Sequence, residues 1–340
     1  VIDAAGAPPG LAVLVQRRGR TEVRRRGVGV INSGRPIRTR QHYRIASMAK
    51  AFNGAVALGL ASDRKLDLGD TIGEWLPGVL PLAEDVTIAQ ALQHTGGLPD
   101  YIRSDAFIEA ILEDPAQYLS PFELLSFVED TALEFEPGTE YGYSDTDNIV
   151  VGLIAEAASG RSYDRLLRQY VYRRAGLHRT SLPDVTAMPR PFVHGYDRSD
   201  DGLLEDVSET INPALAWASG GLVSSMRDVN RFFRAYVGGK LFNERVARSQ
   251  RDFVVGSSSP PGPGSNRATL ALFRYRTSCG TVYGHTGSFP GYRLFAAASA
   301  NGRRSIVFTV NSQIVPGIGP ERVSDLIRRA QKAAVCRALS

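Results

Sequence analysis

Lysine is scarce in this chain. It stands only at Lys50, Lys65, Lys240 and Lys332, and the other basic residues, of 40 in all, are arginine. The net charge is +5, yet no basic run is dense enough to suggest nucleic acid. The closest cluster, Arg17, Arg18, Arg20, Arg24, Arg25 and Arg26, reads as solvated arginines on a strand–turn–strand. A mild positive excess favours approach of an anionic substrate. Cysteine occurs twice, at Cys279 and Cys336. Their spacing leaves two free thiols and one bridge equally open; a bridge would be worth about 4 kcal/mol in the chain-entropy view. The five histidines, His42, His94, His178, His194 and His285, form no close pair and no H-x-x-x-H. No catalytic metal and no cofactor is therefore expected. There is no G-x-S-x-G elbow and no phosphate loop. No apolar run reaches about 18 residues, so no membrane span is expected. The chain opens at Val1 with neither a basic n-region nor an apolar h-region, as a trimmed, mature product would.

What is present is ordinary for a soluble globular protein: 340 residues, 43% hydrophobic and 22% charged. At roughly 150 residues per domain this allows one large core or two coupled domains. Residues 11–16 and 22–31 read as a β-hairpin. Residues 46–62 carry a helical apolar pattern with small residues throughout, which predicts a helix buried on most sides. Helices are also expected at 85–94, 121–130, 147–159, 162–175, 226–237 and 320–338. The Ser/Pro/Gly stretch 256–266 marks a boundary, after which 268–276, 281–284, 292–299 and 304–311 read as strands. The fold class expected is α+β: an antiparallel sheet built from both termini and flanked by helices, with a mostly helical inserted domain. The sheet domain takes residues 1–70 plus 268–340, the helical domain 71–267, and the cleft between them is where a site is expected.

Three segments could carry chemistry. Ser47-Met48-Ala49-Lys50 sets a hydroxyl and an amine one helical turn apart. Serine needs a nearby base, and an amine in a partly apolar site can lose its proton near neutral pH. Free N–H groups in a helix's first turn favour developing negative charge. Ser62-Asp63-Arg64-Lys65 repeats the spacing, but Ser62 ends its helix and Lys65 enters a polar turn, so that copy reads as surface. Tyr141-Gly142-Tyr143-Ser144-Asp145 lies on a loop at the domain junction, where a phenol can move protons, while Ser144 or Asp145 can cap the helix that follows. His285-Thr286-Gly287-Ser288 reads as an edge strand whose cation, hydroxyl and glycine could grip a carboxylate and present an N–H to an oxyanion. His94-Thr95-Gly96 repeats that triplet but reads as a helix stop.

Serine–lysine, tyrosine and a basic-Thr-Gly strand, in this order, resemble the serine β-lactamase and D-alanyl-D-alanine carboxypeptidase (penicillin-binding) superfamily. The tyrosine version is similar to the class C β-lactamase and carboxypeptidase branch, including the secreted Streptomyces DD-carboxypeptidases. Matching stretches run from Gln93-His94-Thr95 and Gly97-Leu98-Pro99-Asp100-Tyr101 through Tyr143-Ser144 and Thr146 to Trp217-Ala218-Ser219-Gly220-Gly221. They end with Ser278-Cys279-Gly280 and Tyr283-Gly284-His285-Thr286-Gly287. The resemblance implies a β-lactamase/DD-peptidase-like fold, Ser47 as nucleophile, and Lys50 with Tyr143 as the proton-transfer pair. It implies an oxyanion hole from the N–H groups of Ser47 and Ser288. Asp145, Trp217, His285, Thr286, Gly287 and Ser288 would bind substrate, with Trp217 lining the pocket. It further implies a Cys279–Cys336 disulfide and a secreted monomer whose signal peptide has been removed. The implied reaction is acyl transfer from a D-alanyl-D-alanine-ended peptide, with β-lactams acylating Ser47. An esterase, a D-amino-acid amidase or aminopeptidase, and a β-lactamase are alternatives on the same fold, and a non-catalytic binding protein is a further one. Two positions depart from the branch. Asp145 stands where asparagine is usual, and Phe273 stands where the carboxypeptidase has the arginine that grips the terminal carboxylate. Arg274 and Arg276 fall on the opposite face of that strand by alternation.

Overall fold

The computed structural model describes residues 1–199 and 201–340. Eight antiparallel strands form its main sheet: β1 (Gly10–Arg17), β2 (Arg20–Gly27), β3 (Val254–Val255), β4 (Ser265–Thr269), β5 (Leu272–Thr277), β6 (Gly280–Phe289), β7 (Tyr292–Ala298) and β8 (Ser305–Val310). Their spatial order is β2-β1-β8-β7-β6-β5-β4-β3, so the two ends of the chain interleave at β1 and β8. Strand β7 is buried along its whole length, and alternation sorts its residues between two cores. Phe295 and Ala297 join Phe308, Ile327 and Val335 under helix Glu321–Leu339. Leu294, Ala296 and Ala298 face the larger core, which holds helix α1 (Ala49–Ser62) and helix Met226–Val237. Edge strand β2 is largely exposed, and its arginines keep that edge charged and solvated.

Helix α1 is buried from Ala49 to Ala61. Its small residues allow that: a Cβ at Gly54 would stand 2.4 Å from the Cβ of Ala271. Helices α2 (Ile88–Gln93) and α3 (Thr146–Ser159) sit on the same helical side, with Leu92 and Ile149 in the core shared with α1. Among the described residues no helix is long and apolar enough to cross a membrane.

Three expectations change. Residues 268–276 are two strands, not one, because Leu270 and Ala271 make the turn of a hairpin. Both are buried, Ala271 with φ 50°, so the turn hides inside an apolar run. The C-terminal part of the sheet also begins at Val254 rather than at 268, since β3 and β4 pair with each other and β4 with β5. Helix Asp105–Glu113 was not anticipated. Cys279 and Cys336 are bridged across a separation of 57 residues, tying the turn between β5 and β6 to the C-terminal helix.

Candidate active site

The serine–lysine segment starts in a tight turn, Ala46–Met48, and only then becomes α1. Ala46 has φ 51°, a left-handed conformation that costs an L-residue about 1–2 kcal/mol. The turn puts Ser47 on the wall of a cavity of about 550 Å³. Strand β6 closes on the turn from the other side. A Cβ at residue 287 would stand 2.6 Å from the carbonyl oxygen of Ile45, so only Gly287 permits that approach. Strand β5 pairs with β6 no further than Gly284, and residues 285–289 are therefore hydrogen-bonded to β7 alone. The edge expected for this segment exists, but only over that half of the strand.

Lys50 is fully buried. Its Nζ lies 2.6 Å from Asp145 Oδ1, 3.1 Å from the Ser219 carbonyl and 3.4 Å from Ser47 Oγ. An ammonium has three donors, and all three acceptors are in place. Asp145 thus turns its side chain toward Lys50 and does not cap α3. The capping expected of it or Ser144 fails, because Ser144 Oγ is engaged by the Pro99 carbonyl at 3.4 Å. Asp145 donates its own N–H to Asp100 Oδ1 at 3.0 Å. Burial, reinforced by the Asp145 charge, pushes the Asp100 carboxyl up to about 7.

Tyr143 lies beside this group, with Lys50 Nζ 5.0 Å from its ring centre. The phenol oxygen is buried and has no well-formed hydrogen bond among the described residues. Burial and then the Asp145 charge hold it well above its ordinary value, against a smaller pull from Ser47. It is therefore a protonated phenol at rest.

The His285 segment differs most from expectation. His285 is fully buried, and its Nδ1 lies 2.6 Å from the Thr286 carbonyl, which can only accept. Nδ1 therefore carries the hydrogen, and burial pushes the imidazole down to about 3. The expected cation is a neutral ring whose Nε2 has no hydrogen-bond partner among the described residues. The Thr286 hydroxyl donates to the Pro260 carbonyl at 2.8 Å. Ser288 does reach the cavity wall, and its Oγ accepts from Gln313 Nε2 at 3.0 Å. Trp217 does not line the cavity. Its ring packs on Tyr163 at 4.8 Å and against Gly152, leaving Ala216 and Gly220 as the wall.

The cavity is largely apolar, walled by Ile102, Phe107, Ile111, Ile211, Leu215, Val315 and Ile318. Among the described residues its one lining cation is Arg103, 71% exposed and 3.6 Å from Asp100. Phe273 is buried against His285 at 4.9 Å, and Arg274 stacks instead over Phe253 at 4.7 Å. Sequence reasoning missed Asp100, Arg103 and Asp147 as neighbours of the site. It placed His94 at a helix end, where it is, without seeing that the same residue lies under Tyr143.

A family model for beta-lactamase matches residues 1–326. The chain belongs to the beta-lactamase family. Penicillin-binding protein 4* of Bacillus subtilis (strain 168) is 26% identical over 311 residues, 84% of this chain and 64% of that protein. The chain thus spans less than two thirds of that relative's length. A protein provisionally named D-alanyl-D-alanine carboxypeptidase from Escherichia coli (strain K12) is 30% identical over 149 residues, 41% of this chain and 33% of that one. The structure of a D-stereospecific amidohydrolase from Streptomyces sp. superposes with TM-score 0.83 at 26% identity, covering 95% of this chain and 94% of that one. D-amino acid amidase from Ochrobactrum anthropi SV3, complexed with D-phenylalanine, gives TM-score 0.83 at 22% identity over 98% and 94% of the chains, a likeness of fold. The β-lactamase-like α+β fold expected from the sequence is the one observed.

Proposed function

We propose that the chain hydrolyses amide or ester bonds of D-amino-acid derivatives through an acyl-enzyme on Ser47. The observation that carries this is the contact of Ser47 Oγ, on the cavity wall, with Lys50 Nζ at 3.4 Å, backed by Asp145 at 2.6 Å. In this reading Ser47 attacks the carbonyl carbon, and its proton passes to Lys50 as Lys50 passes one to Asp145. The N–H groups of Ser47 and Ser288 hold the oxyanion. The protonated Tyr143 phenol then supplies the hydrogen to the leaving nitrogen or oxygen. In deacylation water adds to the acyl carbon, its proton returns to the Tyr143 phenolate, and the Ser47 oxygen leaves with the proton that Asp145 passes back through Lys50.

For the substrate, the order of motifs and the named relatives support a D-alanyl-D-alanine carboxypeptidase acting on peptidoglycan peptides. The Cys279–Cys336 bridge fits an exported protein. A second reading, an amidase or esterase with an uncharged leaving group, is favoured by the charge of the site. A terminal carboxylate would find Lys50 already engaged, His285 neutral and Phe273 apolar, with Arg103 the one cation at the cavity wall among the described residues. The structural neighbours named as amidohydrolase and amidase point the same way. Turnover of a D-alanyl-D-alanine peptide is to be measured against its C-terminal amide and a D-aminoacyl amide. The carboxypeptidase reading expects D-alanine release that falls at least about tenfold on amidation. The reverse preference supports the amidase, and no turnover of any of the three would sink both.

A further inference from the structure

Beneath Tyr143 lies a second ionisable pair that the mechanism above does not use. His94 and Asp147 are both buried, and His94 Nδ1 stands 2.6 Å from Asp147 Oδ2. The imidazole ring lies 4.5 Å from the Tyr143 ring, centre to centre, tilted by 34°. His94 also holds the tyrosine loop by its backbone, its carbonyl accepting from Gly142 N–H at 2.9 Å. Two details give the proton's place. The N–H of Ser144 is directed at His94 Nδ1 at 3.5 Å, so Nδ1 acts as an acceptor. Asp147 Oδ1 is buried and has no hydrogen-bond partner among the described residues, an arrangement costly for a carboxylate and cheaper for a protonated carboxyl. Asp147 Oδ2–H then donates to Nδ1, and the pair carries no net charge. Burial acts in the same sense on both groups, raising Asp147 and lowering His94.

We propose that the His94–Asp147 pair is an uncharged positioning element for Tyr143, which clamps the 141–144 loop and fixes the plane of the phenol ring from behind. The proposal rests on the acyl-enzyme reading for the role of Tyr143. The charged and titratable groups acting on the pair are Lys50, Asp100, Asp145, Glu134, His285, Tyr141 and Tyr143. None of them makes a hydrogen bond to it, so the pair's proton is settled within the pair.

The test compares Asp147→Asn with Asp147→Leu. An asparagine amide can still donate to Nδ1, whereas leucine cannot. Leucine should lower kcat by about 10²-fold with KM nearly unchanged, the signature of a misplaced reacting group. Asparagine should restore at least about tenfold of that loss. If asparagine is as damaging as leucine, Asp147 acts as an anion and the proposal fails. A second readout is independent of activity and of whether the leucine variant folds. Nitrogen-15 spectra of the wild-type protein labelled in histidine, with His94 assigned through His94→Gln, should show an Nε2–H tautomer that does not titrate between about pH 5 and 9. An Nδ1–H tautomer or an imidazolium overturns the proposal. Failure of the acyl-enzyme reading would show separately, as acylation that survives Ser47→Ala.

Discussion

Helix α1 has a serine–lysine pair at each end, and the two ends share little beyond spacing. At the first end Ser47 sits in a strained turn on a cavity wall, and Lys50 is enclosed with three acceptors around its ammonium. At the second end Ser62 Oγ accepts the N–H of Asn243 at 3.0 Å, and Lys65 is exposed. The Ser62 hydroxyl is thus engaged in holding a loop, and Lys65 has, among the described residues, no enclosing acceptors of the kind that surround Lys50. A nucleophile needs the enclosure as well as the spacing, because only a desolvated site makes a short contact between hydroxyl, amine and carboxylate count.

The comparison breaks most directly through the two serines. Ser47→Ala should lower turnover by about 10⁴-fold or more, and Ser62→Ala should leave it within about twofold, measured on any productive substrate. A comparable loss from both would mean that the helix, not the site, is being disturbed. Next in size is Tyr143→Phe, expected to cut kcat by about 10²-fold if the phenol supplies the leaving group's hydrogen. A near-normal rate removes it from the mechanism. Asp145→Asn sharpens what surrounds Lys50, and here a loss of about tenfold in the acylation rate is expected. A faster variant would show that Asp145 only holds Lys50 charged.

The smallest effect concerns Asp100. Its folded value of about 7 stands above the ordinary 3.8 because burial and the Asp145 charge disfavour the anion. Its contribution to stability is therefore present below about pH 4 and is lost as pH rises toward 7. Over the same rise the cavity gains a negative charge. For an anionic peptide kcat/KM should decline through about pH 7, more than for a neutral amide, and Asp100→Asn should flatten the difference. Equal profiles for the two substrates would show that the charge on Asp100 does not reach the substrate.

Much of this was legible in the sequence where one local pattern ruled. The helix expected at 226–237 is Met226–Val237, and the strands expected at 292–299 and 304–311 are Tyr292–Ala298 and Ser305–Val310. The turn at Leu270-Ala271 was not legible, because buried apolar residues occupy a place where turn residues signal themselves by polarity or glycine. His285 looked like a cation, since sequence gives residue type but not desolvation. The two His-Thr-Gly triplets were separated correctly by secondary structure, one ending α2 and one within β6. That separation hid their meeting in space, where both histidines flank Tyr143. Asp147 carried no signal at all, because a buried acid in a helix's first turn is indistinguishable by sequence from an exposed one.

The central claim, that the first end of α1 holds the nucleophile, is open to one direct measurement. Benzylpenicillin is added to the wild-type protein and to Ser47→Ala, intact mass and released penicilloate are followed, and any adduct is placed by tryptic mapping. Ser47 falls on the peptide Ile45–Lys50 and Ser62 on the next one. The prediction is an adduct on the Ser47 peptide, or penicilloate where deacylation is fast, with both lost in Ser47→Ala. An adduct on the Ser62 peptide, reaction that persists in Ser47→Ala, or no reaction of the wild-type protein would contradict it.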